Sequence, residues 1–289
     1  MRPAPELLRR LERLRITSRG RARSSSIGER RGRRHGASMQ FADYRSYAAG
    51  DDPRQVDWNV YARGGNLVVR LFEEESQVDI HIVVDASRSM DFGAPSKFDA
   101  ARRIAAALGH VALARFDRLY LTAIDDRAGP TTGPLSGKDQ ASLLFAAVER
   151  MAPARGSDLA SSLQSLAARF GSVGLTILIS DLMTPTWENG LRALSRRGHE
   201  IALIHVLAPE EVVPTAGEEL RLIDRETGRH VEIHLDDVAL DAYARRFAAW
   251  TGAIERFCRD RAIRYARVDS DTPIETVLFD GLRRRGLVA

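Results

Sequence analysis

The chain has 289 residues and is 44% hydrophobic, which is enough for one large domain or two modest ones with a packed core. The single cysteine, Cys258, excludes an internal disulfide, and the absence of a secretion signal and of an apolar run of about 18 residues predicts a cytoplasmic protein. The charge is uneven: residues 1–39 hold 12 Arg and 3 Glu, a net of +9, and because the whole chain carries +4, residues 40–289 carry −5.

The N-terminal segment begins with an amphipathic pattern. Residues 5–15 place Leu7, Leu8, Leu11 and Leu14 on one face of a predicted helix. Residues 17–38 are rich in Ser, Arg and Gly and predict a loop or a mobile arm. We therefore expect residues 1–38 to form a basic helix and a flexible arm. The arm is either solvated, or packed on the chain's own acidic domain, or a contact for nucleic acid, anionic lipid or an acidic partner.

The next segment, residues 39–76, carries aromatic residues without a helical repeat. A turn signal lies at residues 50–53, and residues 66–74 have the pattern of a strand. This segment is predicted to be an N-terminal β-rich module.

Residues 77–289 alternate between strand and helix patterns. The predicted strands are 78–84, 118–124, 175–180, 200–207 and 264–268, with a β-hairpin over 219–224 and 230–235 and a turn or hairpin at 131–137. The predicted helices are 97–115, 140–151, 158–170, 187–197 and 237–261, followed by a last helix from residue 272. This alternation is typical of an α/β domain with a doubly wound, mostly parallel sheet.

Polar residues follow two of the apolar strands directly. Asp85-Ala86-Ser87-Arg88-Ser89 comes after strand 78–84, and Asp181 comes after strand 175–180. Ser157 precedes the predicted helix 158–170. In a doubly wound sheet ligands bind beyond the carboxyl ends of the strands, so we expect these three loops to converge on one edge.

Two carboxylates and three hydroxyls are hard oxygen ligands. They suit a divalent cation, Mg²⁺ first and Mn²⁺ or Ca²⁺ as alternatives, rather than zinc. The predicted ligands are Asp85, Ser87, Ser89, Ser157 and Asp181. With only two carboxylates the cation keeps an open position, which an acidic side chain of a partner could fill. The alternative is structural: the three serines cap helices, and the two aspartates end strands.

The same residues resemble the metal-ion-dependent adhesion site (MIDAS) of von Willebrand factor type A domains. A second resemblance, carried by residues 40–47, 50–58, 62–63 and 69–75, is to the bacterial family called domain of unknown function fifty-eight. The resemblance implies a von Willebrand factor type A-like, Rossmann-like fold for residues 77–289. It also implies a MoxR-type AAA+ ATPase or its client as partner, in protein assembly or maturation.

The sequence departs from the type A pattern at two positions. Ser157 stands where these domains usually have Thr, and Leu182 follows Asp181 where many have Gly. The Arg-, Asp- and Trp-rich block upstream of residue 77 predicts ion pairs and packing that tie the N-terminal β-rich module to the type A-like domain, with a partner surface as the alternative.

These observations predict a non-enzymatic, metal-dependent protein-binding or adaptor module. One alternative is a metal-dependent hydrolase or phosphotransferase with Asp85 as nucleophile or ligand, although no obvious general base accompanies the motif. Another is a nucleic-acid or membrane-surface adaptor acting through the Arg-rich arm. We expect no nucleic-acid partner, because no aromatic residues interleave with the arginines as stacking platforms.

Overall fold

A computed structural model describes residues 3–18, 39–48, 51, 53, 56–74, 77–153, 158–214, 219–223, 230–234 and 236–289. The chain divides into two compact units. One consists of Arg19–Gln77, and the other combines Met1–Ser18 with Val78–Ala289.

The described strands and helices are numbered in chain order. The strands are β1 (Met39–Ser46), β2 (Val68–Glu74), β3 (Asp79–Asp85), β4 (Arg118–Ile124), β5 (Ala128–Leu135), β6 (Leu175–Ser180), β7 (Glu200–Leu207), β8 (Glu219–Ile223), β9 (His230–His234) and β10 (Arg264–Asp269). The α-helices are α1 (Pro5–Leu11), α2 (Trp58–Gly64), α3 (Lys97–Ala114), α4 (Ala141–Arg150), α5 (Leu159–Arg169), α6 (Trp187–Arg196), α7 (Pro209–Val212), α8 (Asp237–Asp260) and α9 (Ile274–Thr276).

The larger unit is built on a six-stranded sheet in the order β10-β7-β6-β3-β4-β5. All neighbouring strands are parallel except β5, which pairs antiparallel with β4. The predicted α/β class with a mostly parallel sheet is therefore confirmed. The predicted hairpin is also confirmed, because β8 and β9 pair antiparallel.

Hydrophobic side chains cover both faces of this sheet. Ile80, Ile82 and Val84 of β3 pack into one cluster with α1, α3 and α4, while Val83 packs into a second cluster with α5, α6 and α8. Successive strand residues point to opposite faces, so a strand covered on both sides must be apolar at nearly every position. This explains why residues 82–84 of β3, and all of β6 except Thr176 and Ser180, are apolar.

The side of β3 on which successive strands are added changes at the centre of the sheet, while β3, β4 and β6 stay parallel. From β3 the chain adds β4 and β5 on one side, and it then returns to place β6, β7 and β10 on the other. The switch point therefore lies between β3 and β6, whose carboxyl ends are followed by the motifs at residues 85–89 and 181.

The described N-terminal residues, 3–18, pack against the core of the larger unit. Leu7 and Leu11 of α1 are buried in the cluster around α3, and Ile16 forms an antiparallel bridge with Val288. The predicted helix within residues 5–15 is present as α1, and it packs on the chain's own domain, which was one of the alternatives for this segment, so residues 3–18 belong to the larger unit. The rest of that prediction, residues 19–38, lies outside the described residues.

The smaller unit pairs β1 with β2 antiparallel and also contains helix α2. The helix begins at the cap residue Asp57, whose carboxylate accepts hydrogen bonds from the backbone N–H groups of Asn59 and Val60. It ends at Gly65, whose φ of 68° is a conformation that favours glycine. Helix α2 was not among the predicted elements of this β-rich module, because its two caps, rather than an apolar repeat, mark it.

Two further elements differ from the prediction. Residues 131–137, predicted as a turn or hairpin, mostly belong to β5, which forms an antiparallel hairpin with β4 and is an edge strand that tolerates Pro130 and Pro134. The last helix has no side-chain cap at its start, and α9 continues as a π-helical turn over Val277–Leu282. No helix among the described residues is long and apolar enough to cross a membrane.

Candidate functional site

Asp85 and Asp181 lie side by side at the switch point. Asp85 is the last residue of β3, Asp181 directly follows β6, and the parallel pairing of Val84 with Ile179 puts the two strand ends in register. Adjacent strands are about 4.8 Å apart, so residues just beyond paired positions are close neighbours. The register therefore places these two loops at one edge of the sheet, as predicted.

Asp85 is fixed by hydrogen bonds to both of its carboxylate oxygens. Oδ1 accepts from the backbone N–H of Ser87 at 2.9 Å, and Oδ2 accepts from the hydroxyl of Ser180 at 2.6 Å. The Ser180 hydroxyl in turn accepts from the backbone N–H of Leu182 at 2.9 Å. Ser180 therefore links the two loops, a role that sequence reasoning did not assign to it.

Ser87 and Ser89 lie together beside Asp85. Their hydroxyl oxygens are 3.0 Å apart, and Ser87 is buried. Ser87 precedes the 3₁₀ turn Arg88–Met90, but its side chain makes no capping hydrogen bond to that turn. The alternative in which this serine serves as a helix cap is therefore wrong.

The caps of the neighbouring helices are other residues. Ser96 caps α3, and Asp158 caps α5 by accepting a hydrogen bond from the backbone N–H of Ser161. Ser157, the third predicted hydroxyl ligand, lies outside the described residues.

Asp181 is buried, and both of its carboxylate oxygens are engaged. Oδ1 accepts from the backbone N–H of Met183 at 3.0 Å, and Oδ2 accepts from the ammonium of Lys97 at 2.7 Å. The following residue, Leu182, has a φ of 54°, in the left-handed region that favours glycine. The side chain of Leu182 is buried in the core.

Two charged residues at this site were missed by sequence reasoning. Lys97, in the first turn of α3, is fully buried, and its Nζ lies 2.7 Å from Asp181 Oδ2 and 2.5 Å from Glu211 Oε1. Glu211 lies on α7, and its second oxygen accepts from the backbone N–H of Ala208 at 2.8 Å. A lysine at a helix start and a glutamate 114 residues later give no pattern that a sequence scan detects.

Burial and charge shift the pKa values of this group. Burial, and then the nearby charge of Asp181, raise the pKa of Asp85 to about 6, although hydrogen bonds from Ser180 and Ser87 oppose the change. Burial alone would lower the pKa of Lys97, but Asp181 and Glu211 more than offset it, so that the Lys97 pKa is raised. Burial raises the pKa of Glu211 despite its attraction to Lys97.

A buried, neutral histidine is hydrogen-bonded to the backbone of Asp181. Burial lowers the pKa of His205 to about 4, so the ring is uncharged at neutral pH. Its Nε2 is 3.0 Å from the backbone carbonyl oxygen of Asp181, and its Nδ1 is 2.9 Å from the Tyr265 hydroxyl. We assign the proton to Nε2, because a carbonyl can only accept, and the tyrosine then donates to Nδ1.

The buried group has an excess of negative charge. When all four side chains are ionised, the carboxylates of Asp85, Asp181 and Glu211 and the single ammonium of Lys97 leave a net formal charge of −2. Charges that are removed from water need compensation, so this site favours a bound cation.

The donor set fits a hard divalent cation. Two carboxylates and two neighbouring hydroxyls are oxygen ligands of the type that Mg²⁺ and Ca²⁺ prefer. No group of three or more His, Cys, Asp or Glu side chains in the described part of the chain could hold a metal ion by itself. A cation here would therefore depend on the serine hydroxyls and on water.

Comparisons with known proteins place the chain among uncharacterised relatives. The model of the family described as "Protein of unknown function DUF58" matches residues 43–251. The chain is 31% identical to "Uncharacterized protein Rv1480" of Mycobacterium tuberculosis over 295 residues, which covers 99% of this chain and 92% of that protein. It is also 34% identical to "Uncharacterized protein MAV169" of Mycobacterium avium, over 46% of this chain and 79% of that protein.

Two solved structures are similar at low identity. One is the conserved hypothetical protein BatB from Bacteroides thetaiotaomicron, with a TM-score of 0.41 and 19% identity over 64% of this chain and 98% of that one. The other is an aerotolerance-related membrane protein from Bacteroides fragilis, with a TM-score of 0.46 and 18% identity over 72% of this chain and 99% of that one.

Proposed function

The chain belongs to the DUF58 family of proteins of unknown function, and on that premise we propose that it is a non-enzymatic, metal-dependent protein-binding module. In this proposal residues 77–289 form a von Willebrand factor type A-like domain. The strand order, the switch point between β3 and β6, and the Asp-x-Ser-x-Ser motif that follows β3 support that assignment.

One observation carries the proposal. Asp85 and Asp181 are both buried at the switch point, close enough for the charge of one to raise the pKa of the other, within a group of net charge −2. Two like charges held together out of water favour a cation between them.

The residues that would hold the cation are those at the two loops. Asp85, Ser87, Ser89 and Asp181 would hold it directly or through water, and Ser157 is expected to add a further hydroxyl. When bound, the cation supplies an electrophilic position that an acidic side chain of another protein can occupy. The protein's own residues keep the loops fixed: Ser180 holds Asp85, and His205 holds the backbone of Asp181.

We favour binding over catalysis because His205 and Lys97, the nearby side chains that could act as a base, are already held by hydrogen bonds or ion pairs. Both ring nitrogens of His205 are hydrogen-bonded, so the ring is not placed to take a proton from a substrate. Lys97 is held as an ammonium by two carboxylates and is equally unsuited as a base. A metal-dependent hydrolase or phosphotransferase is therefore the weaker alternative.

The partner class in this proposal comes from the family resemblance. We propose a MoxR-type AAA+ ATPase or its client, with the protein acting in assembly or maturation. An adaptor role through the Arg-rich arm toward nucleic acid or membrane is the other alternative, and it rests on residues 19–38, outside the described part of the chain.

Titration calorimetry with Mg²⁺ and Mn²⁺ tests the cation site. The wild-type chain should bind one divalent cation, and Asp85→Ala and Asp181→Asn should each weaken binding by roughly a hundredfold or more, because each removes a charged ligand from a buried site. Asp126→Asn, at an exposed carboxylate, is the matched control and should bind as the wild type does. Equal affinities for all four proteins would rule out this site.

A further inference from the structure

We infer that Lys97 sets the affinity of the site for divalent cations, its buried ammonium acting as a resident counter-ion that competes with the cation for Asp181. This inference rests on the proposed function and adds a determinant of cation affinity that the Asp-x-Ser-x-Ser motif does not contain. Lys97 is not among the predicted ligands, and its ammonium would repel the cation rather than coordinate it.

The position of Lys97 is fixed by its surroundings. Its side chain is fully buried, which is rare for lysine, and its Nζ contacts Asp181 and Glu211 at 2.7 and 2.5 Å. Its backbone N–H donates to the carbonyl of Phe92, and Ser96 caps the helix turn on which it lies. The ammonium is therefore held beside Asp181 by two carboxylates, and the backbone that carries it is held at the start of α3.

The electrostatic effect follows from that position. A divalent cation that binds Asp181 must lie within a few ångströms of a fixed positive charge. In a buried site, repulsion at such a separation weakens binding by roughly tenfold or more. The same ammonium removes one negative charge from the group, which leaves a net of −2, matched to a divalent ion.

Glu211 acts in the opposite direction. Its carboxylate shares the Lys97 ammonium with Asp181, and it adds negative charge near the site. It is itself anchored, because Oε2 accepts from the backbone N–H of Ala208 and the backbone carbonyl accepts from the Tyr243 hydroxyl. Loss of the Glu211 charge should therefore weaken cation binding, while loss of the Lys97 charge should strengthen it.

The experiment is titration calorimetry with Mg²⁺ and Mn²⁺ on the full-length wild type, Lys97→Met, Glu211→Gln and the double variant. We expect Lys97→Met to bind roughly tenfold or more tightly and Glu211→Gln to bind more weakly, with the double variant between them because its net charge returns to −2. Lys138→Met removes an exposed lysine on the surface and is the control, with unchanged affinity. Circular dichroism establishes that each variant is folded.

The outcomes separate the two proposals. If the wild type binds a cation through Asp85 and Lys97→Met binds no more tightly, the inference is overturned and the proposed function stands. If the wild type binds weakly or not at all but Lys97→Met binds, the inference is supported. If no folded variant binds, both fail. Should Lys97→Met not fold, Glu211→Gln decides: weaker binding supports the inference, and equal or tighter binding overturns it.

Discussion

The loop after β6 is held by side chains of its own residues. Ser180 accepts a hydrogen bond from the N–H of Leu182, and Asp181 accepts one from the N–H of Met183. These contacts accompany a φ of 54° at Leu182, which costs about 1 kcal/mol for a residue with a side chain. Burial of the Leu182 side chain in the core offsets that cost. These local hydrogen bonds act together with the contacts of Asp181 to Lys97 and His205 in setting the orientation of Asp181.

A buried histidine far from this loop gives a pH prediction. Burial, and then the charge of His199, lower the pKa of His81 to about 4, with Asp79 opposing and Arg118 adding to the change. The backbone of Ser172 also opposes the change, and the ring of His81 stacks on Tyr120. The folded chain therefore favours the neutral ring, and the unfolded chain binds the proton more readily.

The sign of the effect follows from those two states. The contribution of His81 to stability is complete above its ordinary pKa of about 6.5 and is lost as the pH falls toward 4, by about 2 kcal/mol between pH 7 and pH 5. His81→Phe should reduce the pH dependence of the free energy of unfolding by that amount, measured by urea unfolding at each pH. Tyr120→Phe keeps the stacking partner and should leave the dependence unchanged. Equal slopes for wild type and His81→Phe would contradict the assignment.

At the residue scale, the sequence indicated the two aspartates at the sheet edge but not the buried charges beside them. Asp85 and Asp181 could be identified because each follows an apolar strand directly, and parallel strands share one carboxyl edge. Lys97 and Glu211 could not, because a charged residue in a first helical turn is usually solvated and only the tertiary structure buries this one.

Helix α1 provides the prediction at the element scale. Leu11 is fully buried in the cluster around α3, and the segment after it pairs with the C-terminal residues through Ile16 and Val288. Leu11→Ala should lower the free energy of unfolding of the full-length chain by about 2–5 kcal/mol, because it leaves a cavity in the core.

The measurement is chemical unfolding followed by circular dichroism. Arg9→Ala, on the exposed side of the same helix, is the control and should change the free energy by less than about 0.5 kcal/mol. An unchanged free energy of unfolding in Leu11→Ala would contradict the packing of α1 in the core.

Elements with a clear apolar period were predictable, and those defined by other signals were not. Strands β3, β6 and β7 and helices α3 and α8 follow from continuous or periodic apolar runs. Helix α2 is defined by its caps, Asp57 and Gly65, and β5 is an edge strand in which Gly and Pro hide the pattern. The π-helical turn after α9 has no sequence signature of its own.

At the scale of the whole molecule, charge and family extent agree with a two-unit protein. The family match over residues 43–251 includes parts of both compact units. The net negative charge of residues 40–289 includes the buried carboxylates of the site. Within the larger unit, Glu12 contacts Lys138 and Arg15 contacts Ala289. The doubly wound sheet was predictable from alternation alone, whereas the inclusion of residues 3–18 in its core depends on long-range packing.

Anomalous diffraction from crystals of the full-length protein grown with Mn²⁺, recorded at the manganese absorption edge, tests the central claim most directly. The account predicts one peak within direct or single-water reach of the carboxylates of both Asp85 and Asp181, beside Lys97. The absence of a peak at that edge of the sheet, with the Lys97–Asp181 pair intact, would contradict it.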